Sequence, residues 1–89
     1  MLKISKSNET ENGTTLQVEG RLTGAWVEEL RRHCDQTLTE TQTLTIDCRG
    51  VSFSDVNGIA LMRELRAKNV SFTNCSPFLQ FQMNQDPAF

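Results

Sequence analysis

The chain has 89 residues, with 9 Lys and Arg against 11 Asp and Glu and a formal net charge of −2. Leu, Ile, Val and Phe make up 22 of the 89 residues, so we expect one small folded domain rather than disorder. The charged residues are spread along the chain and form no cluster of Lys and Arg, which argues against electrostatic binding of nucleic acid or anionic lipid. No apolar run approaches the roughly 20 residues of a membrane span, and the start of the chain does not resemble a signal peptide, so we expect a cytoplasmic protein.

The cysteines and the single histidine do not form the pattern of a metal or catalytic site. Cys34, Cys48 and Cys75 are widely spaced, and His33 is the only histidine. We therefore expect no metal, no cofactor and three reduced thiols that act as small apolar side chains, with a disulfide as the alternative. His33 and Cys34 are adjacent, and adjacent helix residues point about 100° apart, so a Cys–His nucleophile and an enzyme are not predicted.

Two strands are predicted at the start of the chain. Leu2 and Ile4 alternate with polar residues, and the polar stretch over residues 7–13 ends in Asn-Gly, a strong turn signal. A second strand follows from Thr14 to Leu22, in which Gly20 predicts a bulge or a close backbone approach. Two strands joined by such a turn are expected to pair as an antiparallel hairpin.

The next segment has the spacing of a helix. After a Thr-Gly break, apolar residues recur on one helix face at Val27, Leu30, Cys34 and Leu38. Trp26 lies beside this stripe, and it is expected either to pack in the core or to be half exposed near the loop. The helix is expected to fray over residues 39–42, which are polar and poor helix formers.

A third strand and a second helix follow. The strand is predicted from Thr43 to Cys48, with a link that continues through Phe53. The second helix is predicted to run to about residue 68, with a core stripe of Gly58, Leu61, Met62 and Leu65. Asp55 is placed to accept the free backbone N–H groups of its first turn, and Asn57 or Gly58 is expected to adopt a restricted or left-handed conformation.

The chain ends in a fourth strand and a short helix. The strand is predicted from Val70 to Thr73, and Ser76 followed by Pro77 predicts a capped helix start. The order β-β-α-β-α-β-α predicts an α/β domain with a mixed sheet of about four strands, mostly parallel, and an antiparallel hairpin strand at one side. We expect a single domain over residues 1–89, with a core over about 2–83 and a loose tail over 84–89.

The order of motifs is similar to that of a known family. The run from Leu44 to Ile59 resembles the central signature of STAS domains, the family of anti-sigma factor antagonists. Residues 18–22, 26–32 and 70–78 resemble the second strand, the first helix and the last strand of that family, so the resemblance covers almost the whole chain. It implies a STAS-like fold and a cytoplasmic, non-enzymatic bacterial regulator of transcription that acts in signal transduction by binding proteins.

The chain departs from the family at the position that carries its switch. In that family the second Ser of Asp-Ser-Ser-Gly is phosphorylated by a partner that is both kinase and anti-sigma factor. The matching position here is Asn57, which has no hydroxyl and no charge, and Val56 fills the other Ser position, whereas Asp55 and Gly58 match. Thr23 replaces the Asp that the family often has after its second strand. The resemblance therefore implies the fold without implying the phosphorylation switch.

We expect a partner protein to dock at the entry of the second helix and at the neighbouring loop. The candidate contact residues are Thr23, Gly24, Ser54, Asp55, Val56, Asn57, Gly58 and Ile59. Ile59 falls outside the core stripe and is therefore expected to expose its side chain as an apolar contact, with an ordinary, partly buried helix residue as the alternative. Ser52 and Ser54 are the nearby hydroxyls that could accept a phosphoryl group in place of Asn57.

Two functions in different classes fit these features. The first is an anti-sigma factor antagonist-like regulator that binds a kinase-like anti-sigma factor. The alternative is a small cytoplasmic accessory subunit of a lipid or anion transporter, with transporter subunits as partners. A bound anion is less favoured, because residues 52–62 contain no Lys or Arg and no glycine-rich phosphate loop is present. The short terminal helix is expected to leave a sheet face partly uncovered, which favours a homodimer.

Overall fold

The computed structural model describes residues 2–10 and 13–84. Its elements are β1 (Leu2–Glu9), β2 (Gly13–Leu22), α1 (Ala25–Glu40), β3 (Thr43–Ser54), α2 (Val56–Ala67), β4 (Ser71–Thr73) and α3 (Pro77–Asn84). The predicted order of strands and helices is confirmed. Asn12 of the predicted Asn-Gly turn and residues 85–89 of the predicted tail lie outside the described residues.

The four strands form one mixed sheet in the order β1-β2-β3-β4. β1 pairs antiparallel with β2, whereas the β2–β3 and β3–β4 pairs are parallel, as the helical connections predict. The pairing of β2 with β3 shifts register on either side of Gly20, whose φ is 109°. The predicted irregularity at this glycine is therefore confirmed.

The two faces of the sheet differ in polarity. The face that packs in the core carries buried apolar residues such as Leu16, Val18, Leu44 and Ile46. The residues that alternate with them along the strands are polar and lie on the opposite face. Across neighbouring strands they form the rows Thr15–Thr45–Ser71 and Gln17–Asp47–Thr73. Such alternation is expected of a sheet that packs on one face only, because successive side chains of a strand point to opposite faces. The opposite face therefore carries hydroxyl, amide and carboxylate groups in these rows.

β3 is longer than predicted, because its second half also pairs with β2. The segment expected to be a link contains Val51 and Ser54, both buried, and it follows β2 through pairs that include Arg21 with Phe53 and Leu22 with Ser54. The pairing joins residues that are far apart in the sequence, so the local pattern of small and polar residues does not predict it. It carries β3 seven residues beyond Asp47, where the pairing with β4 ends, to Ser54, directly before the N-cap residue Asp55.

α2 buries a wider face than its predicted stripe. The predicted residues Gly58, Leu61, Met62 and Leu65 are buried, and Ile59 is buried with them, with 5% of its surface exposed. α2 contacts α1, α3 and β3, so a single narrow stripe does not describe its surroundings. The prediction that Ile59 exposes its side chain is wrong.

The terminal helix begins as predicted. The Ser76 hydroxyl oxygen accepts a hydrogen bond from the Leu79 N–H at 3.2 Å, and Pro77 is the first helical residue. At the other end, the Arg63 guanidinium of α2 donates to the carbonyl oxygens of Gln82 (2.6 Å) and Met83 (3.2 Å). α3 is thus capped at its N-terminus by its own sequence and held at its C-terminus by α2.

Candidate protein-interaction site

The carboxylate of Asp55 joins two segments that are far apart in the sequence. Its Oδ1 accepts a hydrogen bond from the Gly58 N–H (2.8 Å), which caps α2 as predicted. Its Oδ2 accepts a second bond from the Gly24 N–H (3.1 Å), which lies in the loop before α1. The Asp55 N–H in turn donates to the Leu22 carbonyl oxygen (3.1 Å). The entry of α2 and the β2–α1 loop are therefore one connected unit.

These bonds favour the charged form of Asp55. The N–H groups of Gly58, first, and Gly24, second, lower the pKa of the Asp55 carboxyl below its ordinary value. Both carboxylate oxygens already accept hydrogen bonds from the backbone. The geometry gives Asp55 a structural role.

The loop before α1 needs a glycine. Gly24 has φ 56° and ψ −130°, a combination that residues with a side chain rarely adopt. This conformation directs its N–H toward Asp55, and the following turn is closed by a bond from the Trp26 N–H to the Thr23 carbonyl oxygen (3.1 Å). Thr23 and Gly24, predicted as contact residues, thus lie beside Asp55.

Gly58 is required for space and not for a left-handed backbone. A Cβ at this position would lie 2.2 Å from the Ser54 Oγ and 2.8 Å from the Leu22 carbonyl oxygen. Asn57 and Gly58 both lie within α2, and the positive-φ residues among those described are Gly20, Gly24, Asn69 and Asn74. The expectation of a left-handed residue at Asn57 or Gly58 is therefore wrong, and close packing of α2 on β2 explains the glycine.

The two candidate hydroxyls differ in accessibility. Ser54 is buried, and its Oγ donates to the Asp55 carbonyl oxygen (3.1 Å). Ser52 is exposed, and its Oγ donates to the Gly20 carbonyl oxygen (3.2 Å). A kinase would have to unfold the α2 entry to reach Ser54, whereas Ser52 stays accessible.

Three apolar side chains are exposed around this unit. Val56 is 83% exposed, Phe53 40% and Trp26 37%. Arg21 places its guanidinium carbon 5.0 Å from the centre of the Phe53 ring, within the range of a cation–π contact. We call the surface formed by Thr23, Gly24, Trp26, Phe53, Val56 and Asn57 the helix-entry face. Ser54, Gly58 and Ile59 lie beneath it as support.

Phe53 belongs to this face although the sequence pattern does not predict it as a contact residue, because it falls in the segment predicted to be a link. Its signal in the sequence is that an aromatic residue stands two positions before the cap of α2. Trp26 is partly exposed at the start of α1, which matches the second of the two expectations for it.

The thiols and the other strand-end carboxylate show no site of their own. Burial raises the pKa of the Cys34 thiol to about 12 and also raises that of Cys48. The Arg49 N–H (3.0 Å) and the Asn74 side-chain amide (3.1 Å) both donate to Asp47, and they lower its pKa. Within residues 2–10 and 13–84, no three His, Cys, Asp or Glu side chains are grouped as metal ligands would be, and no helix is long and apolar enough to cross a membrane.

The fold is shared with solved structures. The anti-sigma factor antagonist SpoIIAA in its unphosphorylated form is 22% identical, with a TM-score of 0.70 over 96% of this chain and 84% of that one. An uncharacterized DUF3478-family protein from Shewanella loihica PV-4, with a SpoIIAA-like fold, is 13% identical, with a TM-score of 0.59 over 90% of this chain and 71% of that one. At these identities the likeness establishes the fold.

The family is identified from the sequence. No curated protein matches this chain. A family model described as "Mlab, STAS domain" matches residues 5–83, which is most of the 89 residues. The chain belongs to the STAS domain family.

Proposed function

We propose that this STAS domain is a regulatory protein-binding module that docks on its partner through the helix-entry face. The observation that carries the proposal is the exposure of Val56, Phe53 and Trp26 around a turn fixed by Asp55. Aromatic and aliphatic side chains on a rigid support are what a binding hot spot requires, because little conformational freedom is lost on binding.

The charges at this face indicate what the partner presents. Both oxygens of the Asp55 carboxylate accept hydrogen bonds from backbone N–H groups, and the Asn57 side chain is neutral. Arg21 is exposed over Phe53, and among the described residues it forms no ion pair. A partner with an apolar patch and a neighbouring carboxylate therefore fits this face best.

We propose further that the module binds constitutively. Asn57 is exposed where the family carries its phosphorylated Ser, and Ser54 is buried. Neither residue is therefore phosphorylated in the folded domain. The α2 entry does not gain a negative charge at these residues, and such a charge would disturb apolar contacts made by Val56. Control of binding then depends on the partner, its concentration or the accessible Ser52.

The absence of a phosphoacceptor at residue 57 also favours the second candidate function. A small accessory subunit of a lipid or anion transporter needs a stable docking face and no reversible switch. A kinase-like anti-sigma factor is the partner in the first case and a subunit of the transporter in the second. Both require the same helix-entry face, and both place the protein in the cytoplasm.

The test is a binding experiment with matched variants. Purified wild type, Val56→Glu and Ala67→Glu are immobilised as baits, and the proteins they retain from the native cytoplasm and from solubilised membranes are identified by mass spectrometry. Ala67 is exposed near the far end of α2, so Ala67→Glu adds the same charge away from the helix-entry face. The retained partner is then purified and titrated against each variant.

We expect Val56→Glu to weaken binding of that partner at least about 100-fold, because the substitution removes a binding hot spot. The melting temperature of Val56→Glu is expected to stay unchanged, and Ala67→Glu is expected to bind like wild type. Equal binding by all three proteins would show that the helix-entry face is not the docking surface. Recovery of a kinase-like anti-sigma factor supports the first function, and recovery of transporter subunits supports the second.

A further inference from the structure

Two of the three free thiols lie against each other, although none of them forms a site on its own. Cys48 follows the point where the pairing of β3 with β4 ends, and Cys75 lies in the loop between β4 and α3. Cys48 is buried in the core, with 2% of its surface exposed, and Cys75 is partly buried against the same core. A hydrogen bond links the two side chains. The pair is therefore far apart in the sequence and adjacent in the fold.

The backbone at Asn74 explains how Cys75 reaches Cys48. Successive side chains of a strand point to opposite faces, and Phe72 of β4 packs against the core. Continued alternation would turn Asn74 toward the core and Cys75 away from it. Asn74 instead has φ 58°, a left-handed conformation, and its side-chain amide donates to the carboxylate of Asp47 on the polar face (3.1 Å). Cys75 thereby comes to the core side of the sheet, beside Cys48.

Cys75 is the thiol of this pair that small molecules can reach. It lines a groove of about 480 Å³, whose other lining residues include Arg66, Phe72 and Gln80. This lining is partly polar and partly apolar, so it admits a small polar molecule. The pair therefore consists of one accessible thiol and, next to it, the buried thiol of Cys48.

We propose that Cys75 is an oxidation site and that Cys48 resolves its oxidised form into a reversible disulfide. The oxidant is a hydroperoxide, with hydrogen peroxide as the simplest member of the class. The Cys75 thiolate attacks one peroxide oxygen, the O–O bond breaks, and a sulfenic acid and a hydroxide ion form. The Cys48 thiolate then attacks the Cys75 sulfur, and the S–O bond breaks with release of a second hydroxide ion. The two protons lost by the thiols convert both hydroxide ions to water, so the thiols give up two electrons and one peroxide is reduced.

The two thiols are not activated in the resting protein. Burial raises the pKa of both, and the hydrogen bond between them raises that of Cys48 further while it opposes the rise at Cys75. Both are therefore mostly protonated at neutral pH, and the first step is expected to be slow compared with that of an activated cysteine. Proximity of the second thiol, and not activation of the first, determines that the product is a disulfide.

A disulfide at this place would tie the start of α3 to β3. α3 begins two residues after Cys75, and it exposes Phe78 (55%) and Phe81 (63%). Its far end is already held by Arg63 and Arg66, which donate to carbonyl oxygens of its last turn. Because a cross-link also restricts the unfolded chain, the oxidised domain is expected to melt about 10 °C higher than the reduced one.

The test uses the purified, fully reduced chain, which is treated with excess hydrogen peroxide and then alkylated to block the remaining thiols. Wild type is expected to lose two hydrogen atoms from its mass and to keep one alkylatable thiol. Proteolysis, with cleavage at Glu40 to separate Cys34 from Cys48, is expected to give peptides linked through Cys48 and Cys75. Dithiothreitol is expected to restore the original mass and melting temperature. Cys34→Ala is the matched control, since it removes the thiol in α1 and is expected to form the same link.

Variants of the pair separate the two roles. Cys48→Ala is expected to stop at a Cys75 sulfenic acid, which dimedone traps, whereas Cys75→Ala is expected to leave Cys48 reduced. A wild type that stays reduced, that gains oxygen atoms without losing two hydrogens, or that links through Cys34 or between copies would overturn the proposal. The peptide map of wild type needs no substitution, so it decides the matter even if a variant with an altered core does not fold.

Discussion

The helix-entry face and α3 both expose aromatic side chains, but they are supported in different ways. At the helix-entry face, one carboxylate joins the α2 entry to a loop 31 residues earlier, and Gly58 allows the two to pack closely. α3 has a local cap at Ser76 and two arginines at its far end. The first surface is fixed by contacts between distant segments of the chain, whereas the second lies on a short helix that is held mainly at its two ends.

The largest stability effect in this comparison is expected at Gly58. Gly58→Ala places a methyl group in contact distance of the Leu22 carbonyl oxygen and the Ser54 hydroxyl, so we expect a loss of about 2 kcal/mol in the free energy of unfolding. Urea denaturation measures it. Ser54→Ala removes one of the two clashing groups, so the double variant Ser54→Ala/Gly58→Ala is expected to be destabilised by less than the sum of the single changes.

This substitution also tests the role of close packing at the helix-entry face. In conditions where Gly58→Ala remains folded, we expect weaker binding of the proposed partner. If the variant binds the partner with wild-type affinity, then close packing of the α2 entry is not what shapes the helix-entry face.

A smaller effect is expected at the cap of α3. Ser76→Ala removes the hydrogen bond to the Leu79 N–H, and we expect a loss of about 1 kcal/mol, typical of an N-cap. Binding at the helix-entry face is expected to stay unchanged, because the Ser76 cap lies at α3, outside that face. Ser76→Asp restores a capping oxygen, and recovery of stability in that variant checks that the cap and not another contact is responsible.

The smallest predicted effect is a dependence on acid pH at the helix-entry face. Because the folded pKa of Asp55 lies below its ordinary value of 3.8, its contribution to stability is present above about pH 4 and is lost as pH falls through the folded pKa. The melting temperature of Asp55→Asn is therefore expected to fall less steeply than that of wild type between about pH 5 and pH 2.5.

Asp47 provides the comparison for this measurement. Its pKa is lowered by the Arg49 N–H and by the Asn74 side chain, in the β3–β4 region away from the helix-entry face. Asp47→Asn is expected to flatten the same pH profile without affecting partner binding at neutral pH. A profile for Asp55→Asn that superimposes on that of wild type would contradict the role assigned to the carboxylate.

The order of elements and both helix caps were predictable, because those signals are local. Asp55 and Ser76 each precede the helix that they cap, and the alternation along β2 identifies its buried face. The full length of β3 was not predictable, because its second half has only a weak local preference for strand structure and is held in the strand by its pairing with β2. Ile59 was wrongly predicted to be exposed, because a single apolar stripe assumes that the helix packs against one neighbouring element. α2 instead contacts two helices and the sheet.

The segments of the candidate site were predictable, but their contacts with each other and their exposed apolar side chains were less so. The α2 entry and the Thr23-Gly24 loop are adjacent, but the bond from Gly24 to Asp55 joins residues that no local pattern relates. The apolar contacts proposed here are Val56, Phe53 and Trp26, and the exposure of each depends on how the strands end and the helices begin.

The bond between Gly24 and Asp55 has a consequence for fragments of this domain. In the folded domain, the pairing of the parallel strands β2 and β3 across the intervening α1 brings its two partners together. A peptide that contains only the α2 entry would therefore have the right residues in an unfixed geometry. If the helix-entry face is the docking surface, such a peptide is expected to bind the partner more weakly than the complete domain, and a titration of both against the partner measures the difference.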